Sequence, residues 1–391
     1  MSEKYNKLSY GIEPVNSVFH LRARTVVQDN SFSKVLSNKD LLYSIIVNDG
    51  LHVSRENTFE EVFFFERIID VVCTLESGVV FLAEDGFLYN YDAGNNEAEK
   101  ILTEPPGTCY HRNQNREGDF IIMVGAIEIE SDSFWGEEEQ FIYKYNKSPF
   151  KLDWKIAAPK DEIYNFVINE KKGVFYAVDS DASVYCFSLE NGDRIWDVDF
   201  SQHIGDVSRT LNMHPALIGN AIVIIYRGIV LALSAENGEL LWQRKGITTP
   251  WGIISNDGVI YLLETLAVNG VKKQHLVSID GDSGELIAAH VISADEHPDF
   301  IEDIRFMNPL DWVISKTHII IGWSDGFITA INQKNGHIDW LEDVGNGNKD
   351  AVVPGMLLSN NRLYCRTIRS DIEDRVSTSW VFEGEGGFIV D

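Results

Sequence analysis

An all-β chain of repeated four-stranded antiparallel sheets is predicted by three features of the sequence. The first is the stretch Gly219–Arg244, GNAIVIIYRGIVLALSAENGELLWQR, with two apolar β-branched runs, Ala221–Tyr226 and Ile229–Ser234. A polar Glu236-Asn237-Gly238 turn follows, and a short last run ends at Trp242. Runs of this length bounded by Asn/Gly turns read as antiparallel strands joined by tight hairpins, and three such strands need neighbours to bury their faces.

The second feature is recurrence. Asn191-Gly192 precedes Trp196, Asn237-Gly238 precedes Trp242 and Asn335-Gly336 precedes Trp340, with tryptophan always four residues after glycine. Ser283-Gly284 keeps the turn but has Ala288 in the tryptophan's place, while Asn146–Ser148 before Trp154 and Gly94–Asn96 before Ile101 are longer variants. The third feature is the scarcity of helical periodicity, with no amphipathic stretch longer than about two turns. Repeats of roughly 40 to 55 residues match one four-stranded propeller blade, so the expected fold is a single β-propeller spanning 1–391.

Taken in order, the expected blades are 18–66, 69–102, 119–156, 163–199, 212–245, 250–291, 307–342 and 352–391, after a flexible tail over 1–16. That makes eight, or seven if Val18–Val27 crosses back to complete the C-terminal sheet. Such a return would tie down an otherwise open edge. Pro215, Pro250, Pro309 and Pro354 each open an apolar run, which suits the first strand of a blade because proline lacks an N–H there without loss.

Composition bounds the function. With 44% apolar and 11% aromatic residues the chain can bury a sizeable core. A formal net charge of −27 disfavours nucleic acid and anionic membranes as partners and favours a basic protein. The N-terminal MSEKYNKLSYGIEPVNS lacks the apolar core of a signal peptide, and the longest apolar cluster, Val62–Val72, is interrupted by Glu66, Arg67 and Asp70. Cys73, Cys109, Cys186 and Cys365 lie far apart without metal-ligand spacing, as reduced thiols would. These features together predict a cytoplasmic location.

Gly173–Trp196 (GVFYAVDSDASVYCFSLENGDRIW) and Val79–Asp92 (VVFLAEDGFLYNYD) resemble the repeats of the pyrroloquinoline-quinone-type β-propellers. That superfamily includes quinoprotein alcohol dehydrogenases and the propeller lipoprotein of outer-membrane protein assembly. The resemblance implies the fold. For members that hold the quinone it also implies a tryptophan and an adjacent Cys-Cys pair around the cofactor, with calcium on carboxylate and amide ligands. No two cysteines are adjacent here. Trp154, Trp196, Trp242 and Trp340 are instead expected to pack between neighbouring sheets.

Other chemical motifs are weak. Asp280–Glu285 has alternate oxygen ligands like the front of a calcium loop, but it lacks the closing glutamate and coincides with the repeat's turn. His290 and His297 flank a loop and read as solvated, and Gly345-Asn346-Gly347 is a lone G-x-G with no helix behind it. No cofactor, metal or catalytic set is expected, and the chain reads as a non-enzyme.

Loop lengths then place the function. The connections between first and second and between third and fourth strands are short. The long ones are Thr103–Gly118, Ser201–Asn212, Ser293–Phe306 and Asp343–Asp350 between blades, and Ala126–Gln140, Leu266–His275 and Arg369–Ser377 within them. Long loops on a rigid scaffold carry function. Two concentrate negative charge around large apolar residues: Glu128, Glu130, Asp132, Glu137, Glu138 and Glu139 with Phe134 and Trp135, and Asp295, Glu296, Asp299, Glu302 and Asp303 with Phe300. Apolar anchors amid steering charges suit a protein interface. The expected function is an acidic inhibitor or immunity protein that blocks a basic partner such as a toxin or nuclease. The rival readings are a scaffold or assembly factor and a quinone-dependent dehydrogenase.

Overall fold

A computed structural model describes residues 5–8, 19–28, 35–38, 41–46, 50–55, 61–66, 68–85, 87–101, 108–114, 119–129, 137–159, 163–179, 182–204, 215–226, 229–245, 254–256, 258–268, 271–294, 309–315, 317–345, 351–359, 362–370 and 375–384. The chain divides into two compact units. One comprises Arg67–Pro250 with Gly281–Gly284, and the other Met1–Glu66, Trp251–Asp280 and Glu285–Asp391.

Strands β1 (Tyr5–Leu8) and β2 (Phe19–Gln28) come first, then β3 (Val35–Asn38), β4 (Leu41–Ile46), β5 (Gly50–Arg55) and β6 (Glu61–Glu66). The Arg67–Pro250 unit holds β7 (Ile68–Leu75), β8 (Gly78–Ala83), β9 (Leu88–Asp92) and β10 (Glu97–Lys100), then β11 (Thr108–Gln114), β12 (Phe120–Ile129), β13 (Glu137–Lys147) and β14 (Phe150–Ala157). It continues with β15 (Ile163–Asn169), β16 (Val174–Asp179), β17 (Ser183–Ser188) and β18 (Arg194–Asp199), a short helix α1 (Ser201–Ile204), and β19 (Ala216–Ile218), β20 (Ala221–Tyr226), β21 (Ile229–Ser234) and β22 (Leu240–Lys245). The other unit adds β23 (Ile254–Asn256), β24 (Val259–Val268), β25 (Val271–Asp280) and β26 (Leu286–Val291), then β27 (Pro309–Ile314), β28 (His318–Trp323), β29 (Phe327–Asn332) and β30 (Ile338–Asp343), and finally β31 (Ala351–Ser359), β32 (Arg362–Ser370) and β33 (Arg375–Gly384).

Among the described residues these strands make seven four-stranded sheets of consecutive strands and one five-stranded sheet ordered β1-β2-β33-β32-β31. Every pairing within them is antiparallel, as in β20 on β21 from Ala221↔Ser234 to Tyr226↔Ile229. β2 does cross to the C-terminal sheet, pairing with β33 from Phe19↔Gly384 to Gln28↔Val376. The expected first blade is corrected by this: residues 35–66 make a four-stranded sheet on their own, ordered β3-β4-β5-β6.

The burial pattern follows from sheet stacking. Tyr176 and Val178 of β16 pack with Ile222, Ile224, Leu231 and Leu233 of the next sheet. Their neighbours Phe175 and Ala177 pack with Ile122, Val124 and Ile142 of the preceding one. A middle strand buried on both faces must be apolar throughout, which is why β16, β20 and β21 read as unbroken runs. Outer strands have one half-covered face, and β18 and β22 alternate exposed and half-buried residues accordingly.

Three expected long loops are largely strand. Ala126–Gln140 is mostly a paired hairpin, since β12 meets β13 out to Ile129↔Glu137, leaving only 130–136 between them. Leu266–His275 is paired to Val268↔Val271, so that the dipeptide 269–270, an Asn-Gly hairpin signal, is all that joins β24 to β25. Arg369–Ser377 is paired to Ser370↔Arg375. Thr103–Gly118, expected as a connection, contains β11, the first strand of its sheet. In each case polar residues within a paired strand mimic a loop composition.

Candidate interaction surface

The recurrent turn is built the same way each time. Gly192, Gly238, Gly284 and Gly336 have φ of 76°, 75°, 73° and 73°, the left-handed region where a side chain is disfavoured. The asparagine before glycine closes the loop with its side chain. The backbone N–H groups of Asp193, Glu239 and His337 donate to Asn191 Oδ1, Asn237 Oδ1 and Asn335 Oδ1 at 3.1, 3.2 and 2.9 Å. This is the Asx device that makes asparagine preferred there. Asp280–Glu285 is the same turn, with the Asp280 N–H donating to the Glu285 carbonyl at 2.9 Å.

The tryptophans connect one sheet to the next turn. A Cβ built on Gly192 would lie 3.2 Å from Trp154 Cε3, one on Gly238 3.0 Å from Trp196 Cζ3, and one on Gly284 2.5 Å from Trp242 Cδ2. Trp154 Nε1 donates to the Leu189 carbonyl at 3.1 Å and Trp242 Nε1 to the Gly281 carbonyl at 3.2 Å, each three residues before the turn glycine. At the intervening junction the equivalent carbonyl, Ala235, accepts from Tyr176 Oη at 2.8 Å. Trp340 is buried and meets Phe382 edge-on at 5.1 Å. Packing between sheets is therefore the tryptophans' role, as their recurrence predicts.

Where Ala288 replaces tryptophan, the backbone closes the gap. A Cβ on Gly336 would lie 2.7 Å from His290 Cβ. Ser293 bridges His337 in parallel, with the Ile338 N–H donating to the Ser293 carbonyl at 2.8 Å. His290, expected to be solvated, is half-buried at this junction. His297 lies outside the described residues.

A β-bulge accompanies the tryptophan. In β14, β18, β22, β26 and β30 the residue before the tryptophan position is the extra one: Asp153, Ile195, Leu241, Ile287 and Asp339. A bulge turns that side chain outward. Lys144 Nζ donates to Asp153 Oδ2 at 2.7 Å. Asp339 accepts from His318 Nε2 at 2.8 Å, His337 Nδ1 at 2.9 Å and Asn332 Nδ2 at 2.9 Å, while Thr317 Oγ1 lies 2.7 Å from His318 Nδ1. Burial pushes the Asp339 carboxyl up, but these hydrogen bonds outweigh it and hold the group below its ordinary value. The Thr317–His318–Asp339 chain has the spacing of a hydroxyl–imidazole–carboxylate relay. Its position argues for a staple, because it anchors the bulge carboxylate as Lys144 anchors Asp153. Neither device is signalled by a chemical motif; the trace each leaves in the sequence is an apolar or acidic residue directly before the tryptophan position, out of phase with strand alternation.

The predicted acidic residues divide. Glu128 stands on β12 and Glu137, Glu138 and Glu139 on β13, with Glu128 opposite Glu138 and Ile127 opposite Glu139. This register brings acidic residues of both strands to the same end of one hairpin. Glu130, Asp132, Phe134 and Trp135 lie outside the described residues, as do Asp295, Glu296, Asp299, Phe300, Glu302 and Asp303.

Among the described residues, Cys73, Cys186 and Cys365 are buried thiols outside any disulfide, and burial pushes Cys186 up to about 11 and Cys365 well above its ordinary value, which disfavours the thiolate.

Comparison with known proteins places this geometry. The family model described as outer membrane protein assembly factor BamB matches residues 154–370. Among solved structures, BamB from Moraxella catarrhalis is 14% identical with a TM-score of 0.55, covering 91% of this chain and 97% of its own. Quinohemoprotein alcohol dehydrogenase ADHIIG from Pseudomonas putida HK5 is 9% identical with a TM-score of 0.60, covering 98% and 79%. The computationally designed Ika8 protein is 12% identical with a TM-score of 0.60, covering 89% and 96%. These likenesses show a shared β-propeller fold. A curated relative, the uncharacterized protein RC0314 of Rickettsia conorii, is 18% identical over 277 residues, 69% of this chain and 62% of the relative's length. The residues do not fit the quinone that some structural neighbours' names imply. Trp154, Trp196 and Trp242 are committed to turn glycines, and no vicinal cysteine pair exists to face them.

Proposed function

The chain belongs to the outer membrane protein assembly factor BamB family, and on that footing we propose that it is a protein-binding scaffold or assembly factor with no chemistry of its own. The family match over 154–370 is the observation that carries this reading. It favours a scaffold over the inhibitor of a toxin or nuclease expected from the acidic charge, the cytoplasmic reading and the lack of catalytic motifs. The eight sheets support reading the molecule as an eight-bladed propeller, with β2 on β33 as the closing strand. Rigid blades that spend their aromatic residues on one another leave hairpin ends and strand surfaces to meet partners.

The acidic end of β12 and β13 supports a basic partner. Glu128, Glu137, Glu138 and Glu139 crowd one hairpin on a chain of net charge −27. Such a field accelerates encounter with a positive surface. Phe134 and Trp135 are the apolar anchors proposed for the same contact, and the Asp295–Asp303 segment is proposed as a second acidic contact in the other unit.

The test is a photo-crosslinking residue at position 138, expressed in the source cell. A discrete protein adduct is expected, diminished when Glu137 and Glu139 are changed to lysine. A yield from position 138 no greater than from position 237, on a short turn, overturns the assignment of this hairpin.

A further inference from the structure

We propose that Ile195, Leu240 and Leu241, on the outer strands β18 and β22, form a docking strip for an extended partner segment that carries apolar side chains flanked by lysine or arginine. The proposal rests on the protein-binding reading above and names a second contact for it.

The bulge supplies the first argument. It lifts one side chain out of each outer strand at the step before tryptophan. Where that residue is aspartate the sheet engages it, through Lys144 for Asp153 and through His318 and His337 for Asp339. In β18 and β22 it is aliphatic and raised into solvent: Ile195 is 56% and Leu241 50% exposed, with Leu240 exposed beside it. The same step in β26 carries Leu286 and Ile287, also exposed. Each of these aliphatic side chains leaves a third to a half or more of its surface in water, apolar area on outer strands that an interface would cover.

Rigidity and adjacency supply the second. Trp196 and Val198 of β18 meet Gly238, two residues before Leu240, so the two tips stand on adjoining sheets of one compact unit. Trp242, next to Leu241, is fixed by its bond to the Gly281 carbonyl. Side chains flanked by clamped tryptophans are pre-organised and lose little freedom on binding.

Charge selects the occupant. Around β18 stand exposed Glu190, Asp193, Asp197 and Asp199 against Arg194 alone, in a molecule of net charge −27. Arg194 Nε lies 3.6 Å from Asp197 Oδ1, which leaves the side as a whole negative. The partner is therefore basic on the β18 side of its apolar residues. Both strands are sheet edges, but the bulge interrupts the row of backbone groups, so side-chain docking rather than strand addition is the expected mode.

The test titrates the full-length protein with a synthetic peptide alternating lysine and leucine, read by tryptophan fluorescence. Peptides alternating lysine with serine and glutamate with leucine serve as controls. The lysine–leucine peptide should bind best, and Ile195→Ser with Leu241→Ser should weaken it by about tenfold or more while leaving the melting temperature unchanged. Ile195→Val with Leu241→Val should restore most of the affinity, a readout that separates docking from damage to the fold. Equal binding by the serine variant overturns the proposal, as does equal binding of the glutamate–leucine peptide. Self-association abolished by the serine variant would give the strip to a second copy of the chain. Loss of peptide binding only in Glu137→Lys/Glu138→Lys/Glu139→Lys would remove the strip and leave the acidic hairpin, and with it the protein-binding reading, standing.

Discussion

Asp339 shows how much one side chain organises. It receives hydrogen bonds from a strand end (Asn332), a turn (His337) and the first residue of a neighbouring strand (His318), and so ties three elements of one sheet. Because these bonds hold its carboxyl below the ordinary value, it stabilises the native state above the unfolded pKa of about 3.9. That contribution is lost as pH falls through the folded value. Asp339→Asn should therefore lower stability by about 1–2 kcal/mol near neutral pH. Urea midpoints of parent and variant, compared from pH 7 downward, should converge below about pH 4. None of this was legible from sequence, since His318, His337 and Asp339 become neighbours only through strand register. By contrast, Asn237 and Gly238 were legible one residue at a time. Each is demanded by a local backbone requirement, a closing side chain and a positive φ.

At the scale of elements, the turn and the tryptophan of the preceding sheet act as one joint. Gly284 has no room for a side chain, because a Cβ would lie 2.5 Å from Trp242 Cδ2. Gly258 shares the left-handed backbone, at φ 79°, but has open space around it. Gly258→Ala should thus cost only the backbone term, about 1–2 kcal/mol. Gly284→Ala should cost about 1–3 kcal/mol more from overpacking. Equal losses in chemical denaturation would show that the tryptophan does not clamp the turn. β20 and β21 match the apolar runs read from sequence end for end, because both faces of each strand are buried and the pattern has no polar gaps. The ends of β12 and β13 were misread as loop. Their pairing is set by backbone hydrogen bonds, to which composition is blind.

For the whole molecule, the sequence disclosed a repeat array, and the family match turned an expectation of toxin inhibition into one of scaffolding. What it could not disclose is which surfaces the array leaves free, because that depends on where bulges and hairpin ends emerge. We propose that an acidic propeller captures a basic protein through the end of β12 and β13. The most direct measurement is the association rate of the partner recovered by cross-linking from position 138, followed against ionic strength. For the parent protein the rate should fall steeply with salt. For Glu137→Lys/Glu138→Lys/Glu139→Lys it should be slower by on the order of tenfold at low salt, and the two should converge as screening sets in. Identical association rates at low salt would contradict the claim.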